Sequence, residues 1–152
     1  MASLLGQQPN GKKVLIVDDD AVILKTTAMK LEAQGYEVVV AKDASGAIRA
    51  ARKERPDLIL MDVSFPPDVA VVSWDGFRIM SWLSRLEQTK DIPIIVMTGG
   101  QTGNFRDQAA VSGAVAFFSK PLDHQVLLQV IAQVVDRKTG KEPGELGVDF
   151  QI

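Results

Sequence analysis

Three consecutive aspartates, Asp18, Asp19 and Asp20, close a short apolar run near the start of the chain, and a lone aspartate, Asp62, closes another. Thr98 follows a third such run, and Lys120, with Pro121 behind it, follows a fourth. Carboxylates gathered in one small volume repel one another and are stable only with a cation among them. Oxygen ligands alone select a hard cation, and a site that keeps open water positions suits octahedral Mg²⁺. An ion of that kind neutralises the equatorial oxygens of a phosphoryl group moving onto a neighbouring carboxylate. A lysine ammonium pairs with one phosphate oxygen, and a threonine hydroxyl donates to another. The set reads as an aspartate that accepts a phosphoryl group.

Each residue also has a plainer reading. Asp20 alone is the N-cap of a helix. One acid after one strand is a loop residue, Thr98 a turn hydroxyl, and Lys120 a solvated lysine entering a helix. The functional reading draws its force from position. Ligands of open α/β sheets bind outside the carboxyl ends of the strands, and these residues all arrive at such ends.

The elements that must place them are legible in the apolar pattern. "KVLIV" (13–17), "EVVVA" (37–41), "DLILM" (57–61), "IPIIVM" (92–97) and "AVAFF" (114–118) are short solid runs. Runs of this kind read as strands buried on both faces, hence a parallel sheet. Helical stretches lie between them: "DAVILKTTAMKLEAQG", with apolar positions at Val22, Leu24, Ala28 and Leu31 and Gly35 as its stop, then "DASGAIRAARKER", "DGFRIMSWLSRLEQ", "GNFRDQAAVSG" and "LDHQVLLQVIAQVVDRK". A β-α unit repeated five times implies right-handed crossovers and a sheet covered on both faces. The second strand brings only Lys42 and Asp43 to the rim.

Bulk properties narrow the class. At 152 residues the chain is one domain's length and can bury roughly 68–70% of its unfolded surface. With no cysteine it has no disulfide scaffold and no thiolate metal site, which suits a reducing, cytoplasmic setting. A formal net charge of −2 gives no overall invitation to nucleic acid. The opening "MASLLGQQPNGKK" places its charges after an apolar patch, the reverse of a signal peptide, and no apolar run reaches the roughly 18–20 residues that span a bilayer. Residues 12–137 are expected to form the domain, with 1–11 an N-terminal extension and 138–152, rich in glycine and charge, a tail or linker.

With these residues in place, the chain resembles the receiver domains of bacterial response regulators in two-component systems. "VLIVDDD", "PDLILMD", "IPIIVMTG" and "AFFSKPL" carry the likeness in the family's order, from about Lys12 to Asp136. The resemblance implies a doubly wound α/β fold, a flavodoxin-like three-layer sandwich whose five-stranded parallel sheet has the order 2-1-3-4-5. It implies Asp62 as the phosphoacceptor, with Asp19 binding Mg²⁺ directly, Asp18 mostly through water, and the backbone carbonyl of Ser64 as a further ligand. Thr98 would be the switch hydroxyl and Lys120 the phosphate-pairing lysine. The implied donor is a phosphohistidine on a sensor histidine kinase or phosphotransfer protein. Output would pass through protein contacts made by the fourth helix, fifth strand and fifth helix, with no direct nucleic-acid or membrane binding. The expected state is a monomer or a weak, phosphorylation-dependent dimer.

The chain departs from the family pattern in three places. Phe117 stands where the family often has an aromatic that swings inward on activation, and it has no hydroxyl to bond its new neighbours. Gly99-Gly100 after Thr98 leaves that loop unusually free in φ/ψ. The segment between Asp62 and Asp75-Gly76 is several residues longer than usual and apolar, with Phe65, Val69, Val71, Val72 and Trp74. That loop either fills space on the third helix or forms a flap or partner surface beside Asp62. Trp82, with Phe77, Ile79 and Leu83, reads as helix packing, and His124 as a surface residue.

Two other functions compete. A haloacid-dehalogenase-like phosphatase would use Asp18 and Asp20 as its Asp-x-Asp pair, but "FFSKPLDHQ" supplies only Asp123 where that class has an acid pair, and Asp62 is left without a role. A receiver fold that no longer takes phosphate would be a constitutive interaction module, against which the intact acids and lysine argue.

Overall fold

The computed structural model describes residues 10–63, 76–99 and 105–136. Through them run β1 (Lys13–Val17), α1 (Ala21–Ala33), β2 (Glu37–Ala41), α2 (Ala44–Glu54), β3 (Leu58–Asp62), α3 (Gly76–Leu83), β4 (Ile94–Thr98), α4 (Phe105–Val111), β5 (Ala116–Ser119) and α5 (His124–Val135). The strands make one all-parallel sheet in the order β2-β1-β3-β4-β5. Doubly wound topology and strand order are those expected. The apolar loop 64–74 with Ser64 and Trp74, Gly100, and the segments 1–9 and 137–152 lie outside the described residues.

The pleat sends alternate side chains to opposite faces, and the chain exploits both. Val14, Ile16, Leu58, Leu60, Ile95, Met97 and Phe118 share one core with Leu24 and Leu31 of α1 and Leu127 and Ile131 of α5. Leu15, Val17, Ile59, Met61, Val96 and Phe117 share the other with Ala47 and Ala51 of α2, Ile79 and Leu83 of α3, and Ala109 of α4. Burying one such leucine or isoleucine is worth about 1.5–3 kcal/mol. All five residues of β3 and of β4 are buried, as two-faced coverage of a central strand requires.

The helix ends are fixed by local chemistry. Asp20 Oδ1 accepts from the N–H groups of Val22 at 2.8 Å and Ile23 at 3.3 Å, satisfying two donors that the first turn cannot. Asp43 caps α2 by accepting from Gly46 N–H, and Asp123 caps α5 by accepting from Gln125 and Val126 N–H. At the far end of α1, Gly35 takes φ of +94°. Its N–H donates to the Glu32 carbonyl and that of Tyr36 to the Leu31 carbonyl, a Schellman ending that a side chain at 35 would strain.

Several local readings need correction. The second strand is not buried on both faces. β2 is an edge strand, and Val40 is 49% exposed while Val38 and Val39 only partly reach the two cores. Val22 is 70% exposed. The buried stripe of α1 is Leu24, Thr27 and Leu31, and a residue two positions from Leu24 points away from it. Trp82 is half exposed, on the flank of the stripe that Ile79, Met80 and Leu83 bury. The fourth strand starts at Ile94 and runs through Thr98, and the fifth starts at Ala116. Before it, Gly113 turns the chain with φ of +89° and Ala114 N–H donates to the Ala109 carbonyl, ending α4.

Asp20→Ala should lower stability by about 1 kcal/mol, and Asp20→Ser should restore most of it. Urea unfolding of the three proteins measures this. An Asp20→Ala variant as stable as the wild type would show that the cap contributes nothing.

Candidate functional site

Register builds the site. Val17 pairs with Met61, so one step further on Asp18 comes level with Asp62. Asp62 pairs with Met97, and Thr98 with Ser119. The rim is tied across its gaps by backbone hydrogen bonds: Asp18 N–H to the Ala41 carbonyl at 3.1 Å, Val63 N–H to Met97 at 3.0 Å and Lys120 N–H to Thr98 at 2.8 Å. The peptide joining Lys120 to Pro121 is cis.

One carboxylate oxygen from each of Asp18, Asp19 and Asp62 lies within 4.8 Å of the others. Asp18 is fully buried, Asp62 is 1% exposed, and Asp19 faces solvent. Lys120 Nζ donates to Asp18 Oδ2 at 2.6 Å and to Asp62 Oδ2 at 3.4 Å. The remaining oxygen of Asp18 is also engaged, since Oδ1 accepts from Asp20 N–H at 2.9 Å. Asp18 therefore serves mainly to hold Lys120, while Asp19 is the carboxylate open to an incoming ligand. Three oxygen donors at this spacing fit a hard divalent cation such as Mg²⁺ and no soft one.

Burial is the largest influence on Asp18 and pushes its carboxyl above the usual carboxylate range. The charge of Asp62 adds to it, and Lys120 and the Asp20 amide act in opposition. For Lys120, burial works downward, but the hydrogen bond to Asp18 and the charges of Asp62 and Asp18 outweigh it and hold the ammonium above the usual lysine range. The two upward shifts have different leading causes, burial for Asp18 and the neighbouring carboxylates for Lys120, and the charge of Asp62 adds to both.

The sequence-derived site residues meet this geometry as follows. Asp18, Asp19, Asp62 and Lys120 converge. Thr98 is 1% exposed at the end of β4 and is joined to Lys120 through the main chain. Phe117 is fully buried among Met61, Val96 and Ile79, so the ring already stands inward. Gly99 does not use the left-handed conformations that glycine permits, since its φ is not among the positive ones. What matters there is space: a Cβ at 99 would sit 3.2 Å from Lys120 Cδ. Asp20 and Asp123, the acids the phosphatase reading needs, are occupied as helix caps, and that reading finds no support. The backbone donors of Asp20 and Lys120 escaped sequence reading, because main-chain groups leave no residue-type signal.

Lys120→Met should cost about 3 kcal/mol at neutral pH, the low end for breaking a buried pair, because the ammonium keeps some contact with water. The folded-state value of Lys120 lies above its unfolded one. Its contribution is therefore full below the ordinary lysine range and is lost as pH rises through the folded value. The stability gap between wild type and Lys120→Met, followed by thermal melts, should close in strongly alkaline solution. A gap that widens with pH would contradict the pairing.

The sequence matches the family model described as the response regulator receiver domain over residues 14–132. Similar relatives include the polar-differentiation response regulator DivK of Brucella anthropi, 30% identical over 120 residues that make up 79% of this chain and 93% of DivK. Protein PilH of Pseudomonas aeruginosa is 32% identical over 124 residues, 81% of this chain and 97% of PilH. Among solved structures, a CheY-like response regulator receiver domain protein from Methanospirillum hungatei JF-1 superposes with a TM-score of 0.72 at 30% identity, covering 82% of this chain and 94% of that one. The chain belongs to the receiver domain family of two-component response regulators.

Proposed function

We propose that this receiver domain, comprising residues 12–137, is a phosphoryl-accepting switch in which Asp62 carries the phosphoryl group. The observation that carries the proposal is the convergence of the Asp18, Asp19 and Asp62 carboxylates within 4.8 Å of one another, with Lys120 Nζ 3.4 Å from Asp62. The donor is a phosphohistidine of a sensor histidine kinase or phosphotransfer protein, as the family membership suggests. An Asp62 oxygen attacks phosphorus, the phosphorus–nitrogen bond breaks, and the electron pair stays on the donor's imidazole. Asp19 and Asp62, with Asp18 through water and the Ser64 carbonyl as the family membership suggests, would hold Mg²⁺, which would supply positive charge to the transferring oxygens.

The chain's own residues do the rest. Asp18 holds Lys120 at the rim more closely than Asp62 does, and the ammonium exchanges its longer contact with Asp62 for the new phosphate oxygens once they appear. Thr98 offers the phosphate a hydroxyl. The main-chain bond from Lys120 to Thr98 lets the two residues move together and reshape the α4–β5–α5 surface that a partner protein reads. The phosphoryl group is the signal and the surface is the output, so the domain is a switch and not an enzyme acting on a separate substrate. We place it in the cytoplasm with its kinase, acting as a monomer or a weak phosphorylation-dependent dimer. Among the described residues no helix is long and apolar enough to cross a membrane.

Acetyl phosphate with Mg²⁺ should add one hydroxylamine-sensitive phosphate, mapped by peptide analysis to Asp62 and absent in Asp62→Asn. Phosphate found on Asp18 would overturn the assignment. Asp19→Asn should weaken Mg²⁺ binding more than Asp20→Asn does, as read by calorimetric titration. Thr98→Ala should still take phosphate on Asp62 but lose the phosphorylation-dependent amide shifts in α4 and α5. Retention of wild-type shifts there would remove Thr98 from the relay.

A further inference from the structure

α3 begins at Gly76, and this residue is packed against the main chain that carries Asp62. A Cβ built on Gly76 would lie 2.7 Å from the Asp62 carbonyl oxygen, 2.7 Å from Val63 Cα and 2.6 Å from Val63 Cγ1. Side-chain carbons essentially never approach other atoms so closely, and two of the three contacts are to backbone. That backbone has nowhere to retreat. Val63 N–H donates to the Met97 carbonyl at 3.0 Å on the β4 side, Asp62 is in register with Met97, and Val63 is 3% exposed within the core. The end of β3 is thus held between β4 and the bare Cα of Gly76.

From this clamp we infer that Gly76 is a positioning residue for the carboxylate of Asp62, setting its distance from Asp18, Asp19 and Lys120. The inference rests on the reading of Asp62 as the phosphoacceptor and goes beyond it, because Gly76 carries no functional group. A methyl group at 76 must displace the main chain of residues 62–63. Asp18 follows β1, whose pairing with β3 ends at Val17–Met61, so the displacement is not shared by the other side of the site. It is transmitted to the spacing of the carboxylates. Small displacements of this kind are costly because both metal coordination and phosphoryl transfer depend on sub-ångström placement.

The test compares Gly76→Ala with Leu83→Ala, which removes core packing from the other end of the same helix without approaching residues 62–63. Mg²⁺ affinity is measured by calorimetric titration at a temperature where circular dichroism shows each protein folded, and the amide shifts of Asp62 and Val63 are recorded by NMR. Gly76→Ala should bind Mg²⁺ roughly 10–100-fold more weakly, shift both amides and accept phosphate from acetyl phosphate more slowly. Leu83→Ala should lose stability and keep wild-type affinity. Wild-type Mg²⁺ affinity in folded Gly76→Ala overturns the inference and makes the glycine a packing residue only. Should Gly76→Ala not fold, the double variant Val63→Ala/Gly76→Ala relieves the side-chain contact and keeps the two backbone ones. It should still bind Mg²⁺ more weakly than Val63→Ala alone, and equal affinities overturn the proposal. Failure of the underlying reading is distinct: there the wild type itself takes no phosphate on Asp62.

Discussion

Two buried carboxylates, Asp18 and Asp62, stand side by side because the register of β1 on β3 leaves them no choice. Everything at the carboxyl rim answers that repulsion. Lys120 reaches in from the end of β5 to neutralise them, and the Asp20 amide supports Asp18 from behind. An isolated buried charge costs several kcal/mol, and a pair lacking its counterion is worse. A fold built for stability alone has no use for this arrangement, since apolar residues at 18, 62 and 120 would relieve it. The excess of carboxylate over ammonium is an electrostatic tension that a divalent cation, once held there, would relieve.

The charge that draws ligands to this site also makes it respond to them. Lys120 bonds Asp18 at 2.6 Å and Asp62 at 3.4 Å, so it shares its ammonium between the two carboxylates and leans toward Asp18. Its main-chain amide is committed to Thr98. Movement of the ammonium therefore registers on two strands at once, without any long-range rearrangement of the sheet. The same economy holds at β3, where its last residue bears the carboxylate and the first residue of α3 bears on its main chain.

Most of this was legible in the sequence, for identifiable reasons. Strand identity followed from unbroken apolar runs, and the site from three kinds of polar residue, acid, hydroxyl and ammonium, ending four of those runs. The helix caps were equally plain where a carboxylate preceded a helical pattern, as with Asp20. Sequence failed where exposure depends on neighbours that a linear pattern does not show. Val40 is as apolar as Leu60, but one is on an edge strand and the other in the middle of the sheet. Val22 and Leu24 differ only in their angle around α1. The function of Gly99 as space beside Lys120, in place of freedom of φ, depends on a residue 21 positions away and has no local signature.

Pleat alternation divides the rim into two compartments. Asp62 follows Leu58 and Leu60 toward the α1–α5 face, and Asp18 and Lys120 continue the same parity, whereas Thr98 follows Ile94 and Val96 toward the face where Phe117 is enclosed by α2, α3 and α4. The two compartments meet only beyond the strand ends, where Asp19, of the opposite parity, comes within reach of Asp18 and Asp62, and where the Lys120 amide is bonded to the Thr98 carbonyl. Phe117, fully buried and without a hydroxyl, can answer a change at the rim only through its packing, so its own vocabulary is limited to shape.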